Sequence, residues 1–323
     1  TMGYFYSREL HRSARALTAS RKFDLVFVHC SSAAQYVQQA LGVPSNMDFG
    51  DMDSQKWLDY RQYRPQPLAG GYWLEGSKLE RVEKTLARQF DLCTCTTRAE
   101  RDILDGFGVA KNLDWFPNGV DSSYFQPSSA RYDENRICFV GRMDYYPNQQ
   151  AMLKFCADVL PLIHEERPDV QLTIVGAEPS RQIRALGNRE GVTVTGTVDD
   201  VRPFVCSSAA AIAPLVIARG TQNKILEAMA MGVPVVASNA AAGGVDAVPG
   251  KHFLTATEPG DYARHILGLI GNPAWRNQIG DAARRRVLDH HSWPASMVRL
   301  DRIISELLSH RRPVASAVGA PEG

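Results

Sequence analysis

The residues best suited to chemistry lie in "ARGTQNKILEAMAMGVPVVAS", residues 218–238. A polar loop carrying Gly220, Thr221 and Gln222 runs into a small-residue helix, and Lys224 stands in that helix's first turn. A helix start offers unpaired backbone N–H groups and partial positive charge. Gly220 lets backbone approach a ligand closely, and Lys224 adds a full charge. Together these suit a phosphate or a diphosphate. Glu227 follows Lys224 by three residues, so both face one side of the helix. A carboxylate one turn below a phosphate is placed to accept two hydrogen bonds from a ribose diol. The same pattern also describes a helix with a surface Lys–Glu pair.

A second constellation sits in "FVGRMDYYPNQQ" (residues 139–150), where a strand ends at Gly141 and Arg142 projects from its carboxyl end. Open α/β sheets collect ligands at that edge, and Arg142 is suited to a phosphate or to an interdomain salt bridge. "TIVG" repeats the strand–glycine ending at Gly176. The spacing is not the Gly-x-Gly-x-x-Gly dinucleotide fingerprint.

Around these residues strands alternate with helices along the chain, the pattern of parallel sheets flanked by helices. "FDLVFVH", "DLCTCTT" and "LDW" read as strands of a first half, with a further short strand allowed in "MDFGDMDS". "RICFVG", "VQLTIVG", "VTVTGTV", "AAIAPL", "VPVVAS" and "HFLTA" read as strands of a second. The expected organisation is a first domain over 1–121, a linker at 122–135 rich in Pro and Ser, and a second domain over 136–292. A final helix over 293–310, capped by Ser292, and a disordered tail over 311–323 complete it.

Composition agrees with a globular two-domain chain: 323 residues, 44% hydrophobic and 22% charged. Lys+Arg number 36 against 35 Asp+Glu, which argues against a nucleic-acid partner. No apolar run approaches a membrane span. The six cysteines stand apart in strand-like or helix-like runs, as free thiols of a reducing cytoplasm do. No metal-site spacing is present. Asp48, Asp51 and Asp53 alternate with other residues before a helix and read as turn and cap residues. His290 and His291 read as cations at a helix C-terminus. The basic stretch 8–22 reads as a solvated helix, with peripheral contact to anionic lipid as the alternative.

The order of "PNGVD", "FVGR", "TIVG", "VTGTVDDV" and "NKILEAMAMGVPVVAS", ending in "SW", resembles the nucleotide-sugar glycosyltransferases of GT-B fold, in particular glycosyltransferase family four. "GRMDYYPN" and "ARGTQNKILEAMAMG" look most like sugar transferases associated with exosortase (PEP-CTERM) and exopolysaccharide gene clusters. The resemblance covers residues 23 to about 308 and is stronger in the second half. It implies two Rossmann-like α/β domains with a cleft between them, the first incomplete because the chain starts near the helix before "FDLVFVH". The expected protein is therefore a fragment or a shortened homologue.

The resemblance further implies a retaining transferase moving sugar from a nucleotide-sugar donor, with a UDP-sugar expected, to a glycan or lipid-linked acceptor. It implies no metal and no separate cofactor, and a location in the cytoplasm or at the cytoplasmic face of the inner membrane. Glu227 would bind the donor ribose. Arg142 and Lys224 would neutralise the diphosphate. Gly141, Gly176 and Val198 would line the nucleotide, together with Gly220, Thr221 and Gln222. His29 would face the donor sugar or be a strand-end histidine without chemistry. Arg219 stands where the family often has a second glutamate; it suits a phosphate, a structural role, or a sugar carboxylate. A nucleotide-sugar epimerase or hydrolase, and a non-catalytic nucleotide- or partner-binding chain, are the alternative functions.

Overall fold

The computed structural model describes residues 2–37, 42–129 and 132–309. The chain forms two compact units. Among the described residues the first unit holds 2–37, 42–95, 100–116 and 297–309, and the second holds 96–99 and 117–296.

The first unit is built on four parallel strands in sequential order: β1 (Val26–His29), β2 (Ser45–Gly50), β3 (Leu92–Cys95) and β4 (Leu113–Trp115). Met47, Phe49, Cys93 and Cys95 are buried beside Val28, Ala87 and Leu104. The helix Leu68–Gln89 contributes Leu79, Glu83 and Ala87 to the interior, a four-residue spacing that places them on one stripe. After β1 the chain forms a short 3₁₀ helix, Ser31–Tyr36. The longer helical run expected over 31–41 ends among residues outside those described.

The second unit carries six parallel strands: β5 (Asp133–Val140), β6 (Gln171–Val175), β7 (Val192–Gly196), β8 (Ser208–Ala213), β9 (Val235–Ser238) and β10 (Leu254–Ala256). Their order is β10-β9-β8-β5-β6-β7. The chain builds outward from β5 through β7, then returns to the other side of β5 with β8. The strand order therefore reverses between β5 and β8, the kind of point where open α/β sheets bind ligands beyond their carboxyl ends. Ile137, Cys138, Phe139, Leu172, Ile174, Val235 and Val236 are buried in its core. Central parallel strands covered on both faces read as unbroken apolar runs, which is why these segments are recognisable by eye.

Several local expectations change. β5 begins at Asp133, inside the stretch expected as linker, and the chain leaves the first unit at Phe116 before returning to it at Met297; Phe116 packs with Leu92 and Ile303. The long helix from Tyr146 passes through a π-turn at Phe155–Val159 before Leu160–Glu166. Pro161 lacks an N–H and cannot continue a regular α-helix ladder. Ser292 Oγ accepts a bond from Ala295 N–H at 3.3 Å, capping the helix Trp293–Ser309. From Met297 onward this helix packs in the first unit, where Arg299 donates to the Trp115 carbonyl at 2.6 Å.

Of the two histidines expected as cations at a helix C-terminus, His291 is not one. His291 is 1% exposed, and burial pulls its pKa down to about 4, so the ring is neutral at pH 7. His290 instead pairs with Asp246 at 2.6 Å.

Candidate functional site

The second unit gathers most of the candidate residues at the carboxyl edge of its sheet, around the β5/β8 reversal. β5 ends on Val140, and Gly141 continues the chain with its N–H on the Val175 carbonyl at 3.0 Å. Gly176 follows β6 with φ +150°, and a Cβ there would stand 1.9 Å from the Gly141 carbonyl oxygen. A Cβ on Gly141 would stand 2.8 Å from Asn148 Nδ2 and 2.9 Å from Lys224 Nζ. Two backbones and one ammonium thus meet where no side chain fits, which is the reason for glycine at both positions.

Lys224 lies in the helix Asn223–Ala230, whose N-cap Gln222 makes no side-chain capping bond. Gln222 instead donates to the Arg219 carbonyl at 3.0 Å, so no side chain caps the helix, and the Ile225 N–H turns back on the Gln222 carbonyl at 2.9 Å. Gly220 turns the preceding loop with φ +59°. Thr221 Oγ1 is buried with no hydrogen-bond partner among the described residues. The Lys224 ammonium sits 4.2 Å above the Phe139 ring and donates to Asn148 Oδ1 at 2.8 Å. Burial lowers its pKa to about 7, with the Glu227 charge acting in the opposite direction. Glu227 is half-buried; burial raises its pKa and Lys224 holds it down. Each charge thus acts on the other along one face of the helix.

Arg142 is placed differently. Its side chain is exposed and held by two acids: Nε and Nη2 reach Asp144 at 3.1 and 2.6 Å, and Nη2 reaches Glu178 at 3.0 Å. The bidentate contact keeps Asp144 below the ordinary carboxylate range. Glu178 has φ +55°, unusual for a residue with a side chain. Arg142 and Lys224 are joined through Asn148, whose Nδ2 donates to the Arg142 carbonyl at 2.8 Å. Val198 lies just beyond β7 and is half-buried; Arg219 lies in the loop before Gly220 and is also half-buried.

Asn148, Asp144, Glu178 and Phe139 have no assigned role in the sequence reading. Asn148 had one available signal: it follows Pro147 at the start of a helix, where a polar side chain is free to turn back on the preceding loop.

His29 lies in the first unit, at the end of β1. Its Nδ1 meets Asp48 Oδ2 at 2.6 Å. Asp48 is therefore neither a turn nor a cap residue: it is inside β2, 2% exposed, and its burial is made tolerable by hydrogen bonds. Among the described residues no group of three or more His, Cys, Asp or Glu is gathered as metal ligands.

Comparison with known proteins agrees with this architecture. Residues 134–272 match the family model for glycosyl transferases group 1. The chain is 31% identical over 225 residues to an MMP alpha-(1->4)-mannosyltransferase of Mycolicibacterium hassiacum, covering 66% of this chain and 53% of that protein. It is 26% identical over 260 residues to a GDP-mannose-dependent alpha-(1-6)-phosphatidylinositol monomannoside mannosyltransferase of Mycolicibacterium smegmatis, covering 72% of this chain and 66% of that one. The chain thus spans between half and two thirds of the length of these relatives. Among solved structures, sucrose-phosphate synthase of Thermosynechococcus elongatus superposes with a TM-score of 0.73 at 19% identity, over 95% of this chain and 81% of the other. Anabaena Alr3699/HepE in complex with UDP and glucose gives 0.67 at 17%, over 93% and 80%. The chain has the GT-B fold, two parallel-sheet α/β units, and its residues 134–272 match the model for glycosyl transferases group 1.

Proposed function

We propose that this protein transfers a sugar from a nucleotide-sugar donor to a hydroxyl of a glycan or lipid-linked acceptor, with retention of anomeric configuration. The observation that carries this reading is the meeting of Lys224, the uncapped start of its helix and the Gly141–Gly176 backbone at the reversal of the second sheet. That arrangement brings an ammonium, a helix start and glycine backbone without side chains to one sheet edge, the groups a diphosphate is held by.

In this scheme Lys224 and the helix N–H groups stabilise negative charge on the leaving diphosphate. Arg142 exchanges one of its two carboxylate partners for phosphate oxygen. Glu227 accepts hydrogen bonds from the ribose diol, while Gly141, Gly176 and Val198 bound the nucleoside, with Gly220, Thr221 and Gln222 closing the other side. The leaving diphosphate can itself accept the acceptor's proton, so the protein's chief work is orientation and charge stabilisation. Arg219 serves the phosphates or its own loop.

The donor base is uracil in this proposal. A mannosyltransferase relative named as GDP-mannose-dependent makes guanine the competing base. The resemblance of "GRMDYYPN" and "ARGTQNKILEAMAMG" to exosortase-associated transferases supports a place in exopolysaccharide synthesis, in the cytoplasm. Among the described residues no helix is long and apolar enough to cross a membrane. The exposed Tyr4 and Phe5, beside Arg8, Arg12 and Arg15, form the surface proposed to rest on anionic lipid at the inner membrane.

The test is release of nucleoside diphosphate from a panel of UDP-, GDP- and ADP-sugars, with and without saccharide acceptors. Acceptor-dependent release with a glycosylated product supports transfer. Release or epimerisation from donor alone supports a hydrolase or epimerase. Nucleotide binding without turnover, or neither, supports a non-catalytic chain.

A further inference from the structure

The first unit contains a row of polar side chains that no part of the diphosphate site explains. In the parallel ladder His29 of β1 stands opposite Asp48 of β2, and Asp48 opposite Thr94 of β3. Residues in register on neighbouring strands project to the same face, so this row is a consequence of the register itself. His29 is 62% exposed at one end, Asp48 is 2% exposed behind it, and Thr94 is fully buried.

The hydrogen bonds along the row have a forced direction. The Asp48 carboxylate only accepts. Its Oδ1 takes the Thr94 hydroxyl at 3.1 Å and the Gly50 N–H at 3.4 Å, and its Oδ2 faces His29 Nδ1 at 2.6 Å. Nδ1 must therefore carry the proton, and in the neutral ring Nε2 is left without one. The two bonds from β2 and β3 also fix the carboxylate, so the imidazole is oriented as well as polarised.

We propose that Asp48 is a positioning residue for His29: it locks the Nδ1–H tautomer and presents Nε2 as a hydrogen-bond acceptor to a sugar hydroxyl. The inference rests on the sugar-transfer reading for the identity of the hydroxyl, but the tautomer stands on the register alone. A carboxylate behind a histidine sets which nitrogen is available to a substrate, and replacing it by an amide can reverse that choice.

The experiment combines nitrogen-15 NMR of labelled histidine at pH 8 with steady-state transfer, in the full chain and in Asp48→Asn, His29→Gln and His29→Phe. The wild-type ring is expected as Nδ1–H with unprotonated Nε2. Asp48→Asn is expected to shift it toward Nε2–H and to lower kcat by at least about tenfold, with nucleoside diphosphate affinity unchanged. His29→Gln keeps an acceptor near the Nε2 position and is expected to retain more activity than His29→Phe. A wild-type ring protonated on Nε2 overturns the proposal, as does a reversed tautomer with undiminished transfer. Where Asp48→Asn does not fold, the exposed His29 variants decide: equal and full activity in both overturns the role. A wild-type chain that transfers no sugar from any donor defeats the transfer reading, while the tautomer spectrum still decides the lock itself.

Discussion

Asn148 links the two cations of the candidate site: its Oδ1 accepts from Lys224 Nζ and its Nδ2 donates to the Arg142 carbonyl, both at 2.8 Å. The amide is 5% exposed, so neither bond has water as a ready substitute. Losing a partner of a buried charged donor costs roughly 1–3 kcal/mol. Asn148→Ala is accordingly expected to weaken UDP binding by about tenfold or more, measured by calorimetric titration, while the fold is retained. Unchanged affinity would show that Lys224 needs no such support.

The Lys224 ammonium makes the site sensitive to pH. Its pKa is about 7 in the folded chain against 10.5 ordinarily. Between those values the unfolded chain holds a proton that the folded chain lacks, so stability rises with pH from about 7 to about 10 through this residue. Below 7 both states are protonated and the folded state bears the full cost of the enclosed charge. Glu227, with its pKa raised by burial, works oppositely: stability through it falls as pH climbs above its ordinary 4.5. Lys224→Met is therefore expected to raise the unfolding midpoint at pH 6–7 and to flatten the rise above 7, while abolishing diphosphate binding. Thermal melts across pH 5–10 check the first half. Diphosphate binding at pH 8 should also take up protons, seen as a buffer-dependent heat.

Gly176 tests the close approach beneath the site. A Cβ 1.9 Å from the Gly141 oxygen cannot be accommodated without backbone movement. Gly176→Ala is expected to destabilise the second unit by roughly 1–3 kcal/mol, read from denaturant midpoints, and to weaken nucleotide binding through the displaced Gly141. A stable variant with full affinity would mean that the two loops are free to separate.

How much of this was legible in the residues depended on how local the cause was. The strands of the second sheet could be read because each is an apolar run closed by glycine or a turn. Lys224 and Glu227 could be paired because three residues of helix fix their relation. Asn148 could not be tied to Lys224, because the two stand 76 residues apart in the chain. Asp48 was misassigned for a similar reason. The sequence allows a short strand in this segment, yet the alternation of Asp48, Asp51 and Asp53 reads as turn and cap chemistry, and pairing with β1 and β3 is what makes Asp48 a buried acceptor. His290 and His291 looked alike in sequence; the π-turn Val287–His291 sends one to Asp246 and the other into the interior.

His291 gives an acid-side prediction. Its folded pKa of about 4 lies below the ordinary 6.5. The stability it contributes is present above 6.5 and is lost as pH falls toward 4, because the unfolded chain protonates first. His291→Phe should remove part of the acid sensitivity of the melting midpoint between pH 6.5 and 4. A variant that follows the wild-type curve throughout that window would exclude His291 as a cause.

The most direct measurement is thermal unfolding of the chain against UDP, GDP, ADP and CMP, beside Lys224→Met and Glu227→Gln. The account predicts that one nucleoside diphosphate raises the midpoint, with about 2.7 kcal/mol of added stability at a hundred times its dissociation constant. Both substitutions should remove most of that gain. A folded chain whose midpoint no nucleotide moves, or a gain that survives in both variants, would contradict the assignment of the diphosphate site to Lys224, Glu227 and the Gly141–Gly176 floor.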